Sequence, residues 1–138
     1  MATRVIRAAL VALALIALGT GVWATVSPRA FYDNFPGAGH AWVAADGPYN
    51  EHLIRDFGSL NLALAAVTII AAVTLGRAVV IAAAVAWLLV EVPHLVYHAR
   101  HLDVYPSGDK AAVVIALALS VVLPVVILVA ESRRPAPT

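Results

Sequence analysis

Four stretches of this chain offer an aqueous solvent almost nothing to hydrate, and that restricts the fold more than any other feature. Residues 8–26, 57–75 and 111–130 run for 19, 19 and 20 residues without a charge. About 20 apolar residues in a helix cross the hydrocarbon core of a bilayer. A fourth stretch, residues 78–98, is as long but carries Glu91, Pro93 and His94 towards its end. Lipid supplies no partner for a backbone N–H or C=O, so these stretches are expected to be helices, although their Val and Ile would favour strands in water. Composition agrees: 62% of residues are hydrophobic and only 12% charged, against about a quarter charged in a soluble domain. The expected fold is all-α, an antiparallel bundle of four transmembrane helices forming a single domain over residues 1–138. The helices are placed at about residues 6–26, 53–75, 78–101 and 109–131 by these apolar runs. The first run is longer than a signal-peptide core and lacks a clear small-x-small cleavage site before Ser27, so it is expected to stay as a membrane helix.

Residues 27–52 are expected to form a structured loop outside the bundle. Pro28, Pro36, Gly37, Gly39, Gly47 and Pro48 make turns, and Phe31, Tyr32, Phe35, Trp42 and Tyr49 are too many aromatics for a disordered linker. These rings suit the membrane interface, where they would cap the bundle mouth. Charge sets the orientation. With the N-terminus inside, Arg4, Arg7, Arg77, Arg133 and Arg134 are cytoplasmic, while Arg29, Arg55, Arg100 and Lys110 are outside. Five basic residues against four, with a tight turn at Gly76–Arg77, favour cytoplasmic N- and C-termini. The setting expected is a bacterial cytoplasmic membrane.

All five histidines and seven of the eight acidic residues then fall in or beside the outer segments. Ionisable groups at membrane depth are costly and mark functional sites by default. On the third span Glu91, His94, His98 and His101 recur at three, four and three residues, which puts them within an arc of roughly 80° on one helix face. Glu-x-x-His is the ligand pair of carboxylate-bridged metal bundles, and His-x-x-x-His holds zinc from a helix. Imidazole suits zinc, copper and iron. Pro93 is expected to bend the helix and aim His94 inward. His101, beside Arg100 and Asp103, reads as interfacial.

At the start of the second span His52, Arg55, Asp56 and Ser59 share one side. Asp56 can accept from a ring nitrogen of His52, the device that orients metal-bound histidines. Arg55 needs an anion, with Glu91 or Asp56 the expected partner. Glu51 belongs to an acidic first turn favoured by the helix dipole. Because a tight turn joins spans two and three, their outer ends are expected to lie side by side and to bring the two polar faces together, beneath a loop carrying His40. The expected metal ligands are therefore His52, Glu91, His94 and His98, and Glu91, Arg55 and Asp56 are the candidates for catalysis or proton transfer. Asn61 is expected as a hydrogen-bond link between helices, Thr20 and Thr68 to bond their own backbone, and Gly19 and Gly21 to let helices approach. Ser107 or Asp109 suits the N-terminus of the last helix.

The four-span layout, with its outer loop of the type Ser27-Pro28-Arg29-Ala30-Phe31-Tyr32-Asp33, then Asp46-Gly47-Pro48-Tyr49-Asn50-Glu51-His52, and Pro93-His94-Leu95 on the third span, resembles the small DoxX-like integral membrane proteins of bacteria. The resemblance covers most of the chain and implies the four-helix fold. Named members of that wider group take part in quinone-linked oxidation of sulfur compounds, but no residue here carries that chemistry across.

Three functions follow from the residues. One is a membrane protein binding a transition metal (zinc, iron or copper) and acting in redox chemistry or on a quinone or other lipid-soluble molecule. Another is a haem protein with His52 and His94 or His98 as axial ligands. The third is a scaffold or accessory subunit, in a homo-oligomer or larger membrane complex, whose polar cluster is a structural ion-pair network. Proton-coupled transport has little support, because the inner half of the bundle is nearly devoid of polar residues. The absence of cysteine removes thiol redox chemistry and thiolate metal ligands. A net charge of +1 without a basic patch leaves no nucleic-acid partner.

Overall fold

The computed structural model describes residues 1–135. Four long helices carry the apolar stretches: α1 (Ala2–Val26), α4 (Glu51–Thr74), α5 (Arg77–Arg100) and α6 (Ser107–Ser132). Each is long and apolar enough to cross a membrane. Two short helices, α2 (Pro28–Asn34) and α3 (Trp42–Asp46), lie in the loop between α1 and α4, and a 3-10 turn, Leu102–Val104, precedes α6. Among the described residues there is no strand. This is the expected four-helix membrane bundle with a structured cap.

Local chemistry sets the helix ends. The Asn50 side chain accepts from the Leu53 N–H at 3.1 Å and so caps α4, and Glu51 follows in its first turn. At the other end Leu75 takes a left-handed conformation (φ 51°), and Gly76 directly precedes α5. The two helices are therefore antiparallel. Pro28 opens α2 at a position where a missing N–H costs nothing.

The closest helix pair is nevertheless α1 with α4, followed by α5 with α6 and α1 with α6, while α4 and α5 touch less. Glycine explains the first pairing. A Cβ on Gly58 would lie 2.7 Å from the Thr25 backbone nitrogen, and one on Gly21 would lie 2.9 Å from the Gly58 carbonyl oxygen. The two backbones meet there, a close packing that membrane helices favour. Gly19, also expected to serve helix approach, faces open space. Asn61 does not bridge helices either: its Nδ2 donates to the Phe57 carbonyl of its own helix.

Ile6, Leu10, Leu13, Ala65, Val80, Trp87 and Ile127 form the main core. Trp87 is buried, and its indole N–H donates to Thr68 Oγ1 at 2.9 Å, while Thr68 donates to the Leu64 carbonyl as its own-backbone role requires. Leu15, Leu60, Val73, Leu89 and Ile115 are each at least 60% exposed. An apolar belt of that kind wants a hydrocarbon solvent.

Candidate functional site

The polar residues of α4 and α5 form separate groups. At the start of α4, His52 Nε2 lies 3.2 Å from Asp56 Oδ2, with the His52 side chain 88% exposed. The expected His52–Asp56 contact is present. Arg55 turns away from α5: its Nε donates to Glu51 Oε1 at 2.9 Å, and its Nη1 donates to the Thr25 carbonyl at the end of α1. Neither Glu91 nor Asp56 is its partner, because α1 occupies the face of α4 beside Arg55. Next to it Arg29 donates to Asp33 at 2.8 Å and lies 5.0 Å from the Tyr49 ring. The hydrogen bond to Asp33 raises the Arg29 pKa above its ordinary value. These pairs are exposed and contribute little to stability.

The α5 group is built differently. Glu91 is fourteen residues into a 24-residue helix, about 21 Å along a rod about 36 Å long and so just past its middle. The carboxyl is buried against α6, where Ser120 Oγ donates to Glu91 Oε2 at 2.6 Å. Ser120 Oγ also lies 2.8 Å from the Leu117 carbonyl. A hydroxyl has one proton to donate. If Glu91 is ionised, Ser120 gives that proton to the carboxylate. If Glu91 is protonated, it donates to Ser120, and Ser120 donates to Leu117. Rotation of one hydroxyl thus satisfies both states.

From Glu91 a series of side chains leads to the capped end. His94 Nδ1 is 3.6 Å from Glu91 Oε2, the His94 and His98 rings are 4.7 Å apart, and His98 Nδ1 is 2.8 Å from the Tyr105 hydroxyl. Burial pushes the Tyr105 pKa up to about 12, so this hydroxyl keeps its proton at neutral pH. His101 stacks on Tyr97 at 4.3 Å and contacts the Tyr97 carbonyl, an end-of-helix role as expected. Pro93 lies inside α5, and His94 beside it is half-buried. Its side chain is 37% exposed, about 9 Å below the helix end.

The expected convergence of the two polar faces is therefore not realised. Glu91 faces α6, and among the described residues no hydrogen bond or ion pair joins it to His52, Arg55 or Asp56. Helix rise contributes to this. His52 is in the first turn of α4, whereas Glu91 lies nine residues, or about 13 Å, below the same end of α5. Among the described residues no three His, Asp or Glu side chains are grouped so as to hold a metal ion. His52, Glu91, His94 and His98 are thus not gathered into such a group.

Three polar features were not anticipated. Asp109, nearly buried in the first turn of α6, binds the cap: His40 Nδ1 lies 2.9 Å from Oδ1, and Trp42 Nε1 donates to Oδ2 at 3.1 Å. Trp42 and Asp109 are separated by 67 residues in the chain, so no local spacing announces the contact. Glu131, at the opposite end of α6, is 1% exposed and accepts from Arg134 at 2.8 Å. Its Oε1 is buried without a hydrogen-bond partner among the described residues. Arg7 donates to the Ala72 carbonyl at 3.3 Å, bracing α1 against α4.

No family model, no curated protein and no solved structure matches this chain.

Proposed function

We propose that this membrane protein binds the polar head of a lipid-soluble molecule beside α5 and exchanges protons with it. Glu91 holds the proton, His94 meets the substrate, and His98 and Tyr105 link the site to the capped surface. One observation carries this reading: the series Glu91, His94, His98, Tyr105 runs from the middle of α5 to its end, with a partly open imidazole about 9 Å inside the helix end, within the apolar span. An uncovered polar group there is costly, and a hydrogen-bonding head that arrives through lipid relieves the cost. A quinol has that chemistry, with an apolar tail and hydroxyls that donate and exchange protons, while the carbonyl oxygens of the quinone can only accept hydrogen bonds. The proposal concerns binding and proton exchange only. Electron transfer needs a redox partner, and among the described residues no three metal-binding side chains are grouped.

The setting we infer is the cytoplasmic membrane of a bacterium, with both termini cytoplasmic, and the likeness to DoxX-like proteins belongs to the same proposal. Its support is the clustering of Arg4, Arg7, Arg77, Arg133 and Arg134 at one end of the bundle, opposite the cap. A second reading, an accessory or scaffold subunit in an oligomer or larger complex, draws on the clamp at Asp109, which holds the cap to α6 without chemistry.

Photolabelling in nanodiscs with an azido-quinone separates the two. Label is expected on the α5 peptide containing His94 and is expected to be lost in His94→Leu. Labelling elsewhere, or equal labelling of the variant, supports the structural reading instead.

A further inference from the structure

The end of the bundle opposite the cap carries a second amphiphilic feature. A shallow, open groove of ≈ 520 Å³ lies on one exposed face of α1 and is lined by that helix alone, with Arg4 and Arg7 at its head and Ala8, Val11, Ala12 and Leu15 along it. From Arg4 to Leu15 is eleven residues, about 16 Å along the helix axis. Ala8 and Ala12 leave it shallow where larger side chains would fill it. Arg7 is held in place by its bond to the Ala72 carbonyl, which uses only one of five guanidinium donors. Arg4 makes no side-chain hydrogen bond and, like Arg7, no ion pair among the described residues.

We propose that this groove binds an anionic phospholipid, with its phosphate on Arg4 and Arg7 and one acyl chain in the trough. The groove is charged where α1 begins and apolar towards the bilayer interior, which is the order of groups along a phospholipid. Charge favours an anionic lipid over a zwitterionic one. Among the described residues, five arginines stand at this end of the bundle, and Glu131, already paired with Arg134, is the carboxylate there. Basic sites beside membrane helices take anionic head groups on this principle. The site is separate from Glu91 and His94.

Native mass spectrometry tests it, on protein released from bilayers of mixed phosphatidylcholine and phosphatidylglycerol. The wild type is expected to retain one phosphatidylglycerol in preference to phosphatidylcholine. Arg4→Gln is expected to lower that preference about fivefold, the effect of one basic residue near an anionic surface. Arg7 also braces α4, so Arg4→Gln carries the test. Ala12→Trp, which fills the trough and leaves the charges alone, is expected to lose the retained lipid. The proposal is overturned if wild type retains both lipids in their bilayer proportion, or if Arg4→Gln keeps the wild-type preference. It is also overturned if inorganic phosphate displaces the lipid, or if the groove proves to hold a second copy of α1, seen as a dimer that Ala12→Trp dissolves.

Discussion

A carboxyl near the middle of a membrane helix survives only with partners, and Glu91 has two kinds. Ser120 satisfies it from α6 in either protonation state, and His94 stands close enough to exchange a proton with it after a small rotation. The last link, His98 with Tyr105, makes a prediction of its own. Burial raises the Tyr105 pKa from 10.0 to about 12. A phenol whose pKa is raised by folding binds its proton more tightly in the folded state. Its contribution to stability is thus fully present below pH 10 and is lost as pH rises towards 12. Tyr105→Phe is expected to flatten stability over that window and to cost about 1 kcal/mol at neutral pH for the lost hydrogen bond. Thermal unfolding in detergent against pH checks both. Equal slopes in variant and wild type would show that Tyr105 is not held as described.

Helix pairing decided which polar residues meet. Chain order and the tight turn between α4 and α5 suggested that their polar faces would converge, and the reasoning failed because α1, not α5, takes the principal face of α4. Gly58 permits this by letting the α1 backbone come close at Thr25. The signal was present in the sequence as a glycine in an apolar span, but glycine spacing does not say which helix will fill the gap. Gly58→Ala is expected to destabilise the bundle by about 1–3 kcal/mol through overpacking. Gly19→Ala, which meets open space, is expected to be neutral or slightly stabilising. Denaturant titration of the pair checks this, and equal losses at both positions would contradict the crossing.

Across the whole molecule, the apolar spans and the aromatic-rich cap were legible because the bilayer imposes length and composition on a chain directly. The periodicity of Glu91, His94 and His98 likewise disclosed one helix face. Asp109 and Ser120 were not legible as partners, since each meets residues far away in the chain and neither belongs to a recognisable spacing. Asp109 matters at this scale because it fastens the cap to α6 through His40 and Trp42. Asp109→Ala is expected to cost on the order of 1–2 kcal/mol, as loss of hydrogen-bond partners at a half-exposed contact does. It should also raise amide exchange over residues 35–49 and shift Trp42 fluorescence to the red. An unchanged cap would remove the clamp from the account. On the function we propose, a proton travels between Glu91 and the capped surface through the α5 histidines. Infrared spectroscopy of the reconstituted protein on transfer to D₂O acidic enough to keep the carboxyl protonated tests it most directly, using the carbonyl band that Glu91→Gln abolishes. The expected result is deuterium reaching Glu91 in the wild type and arriving at least about tenfold more slowly in His94→Phe, a barrier increase of about 1.4 kcal/mol. A Glu91 band that exchanges equally fast without that imidazole would contradict it.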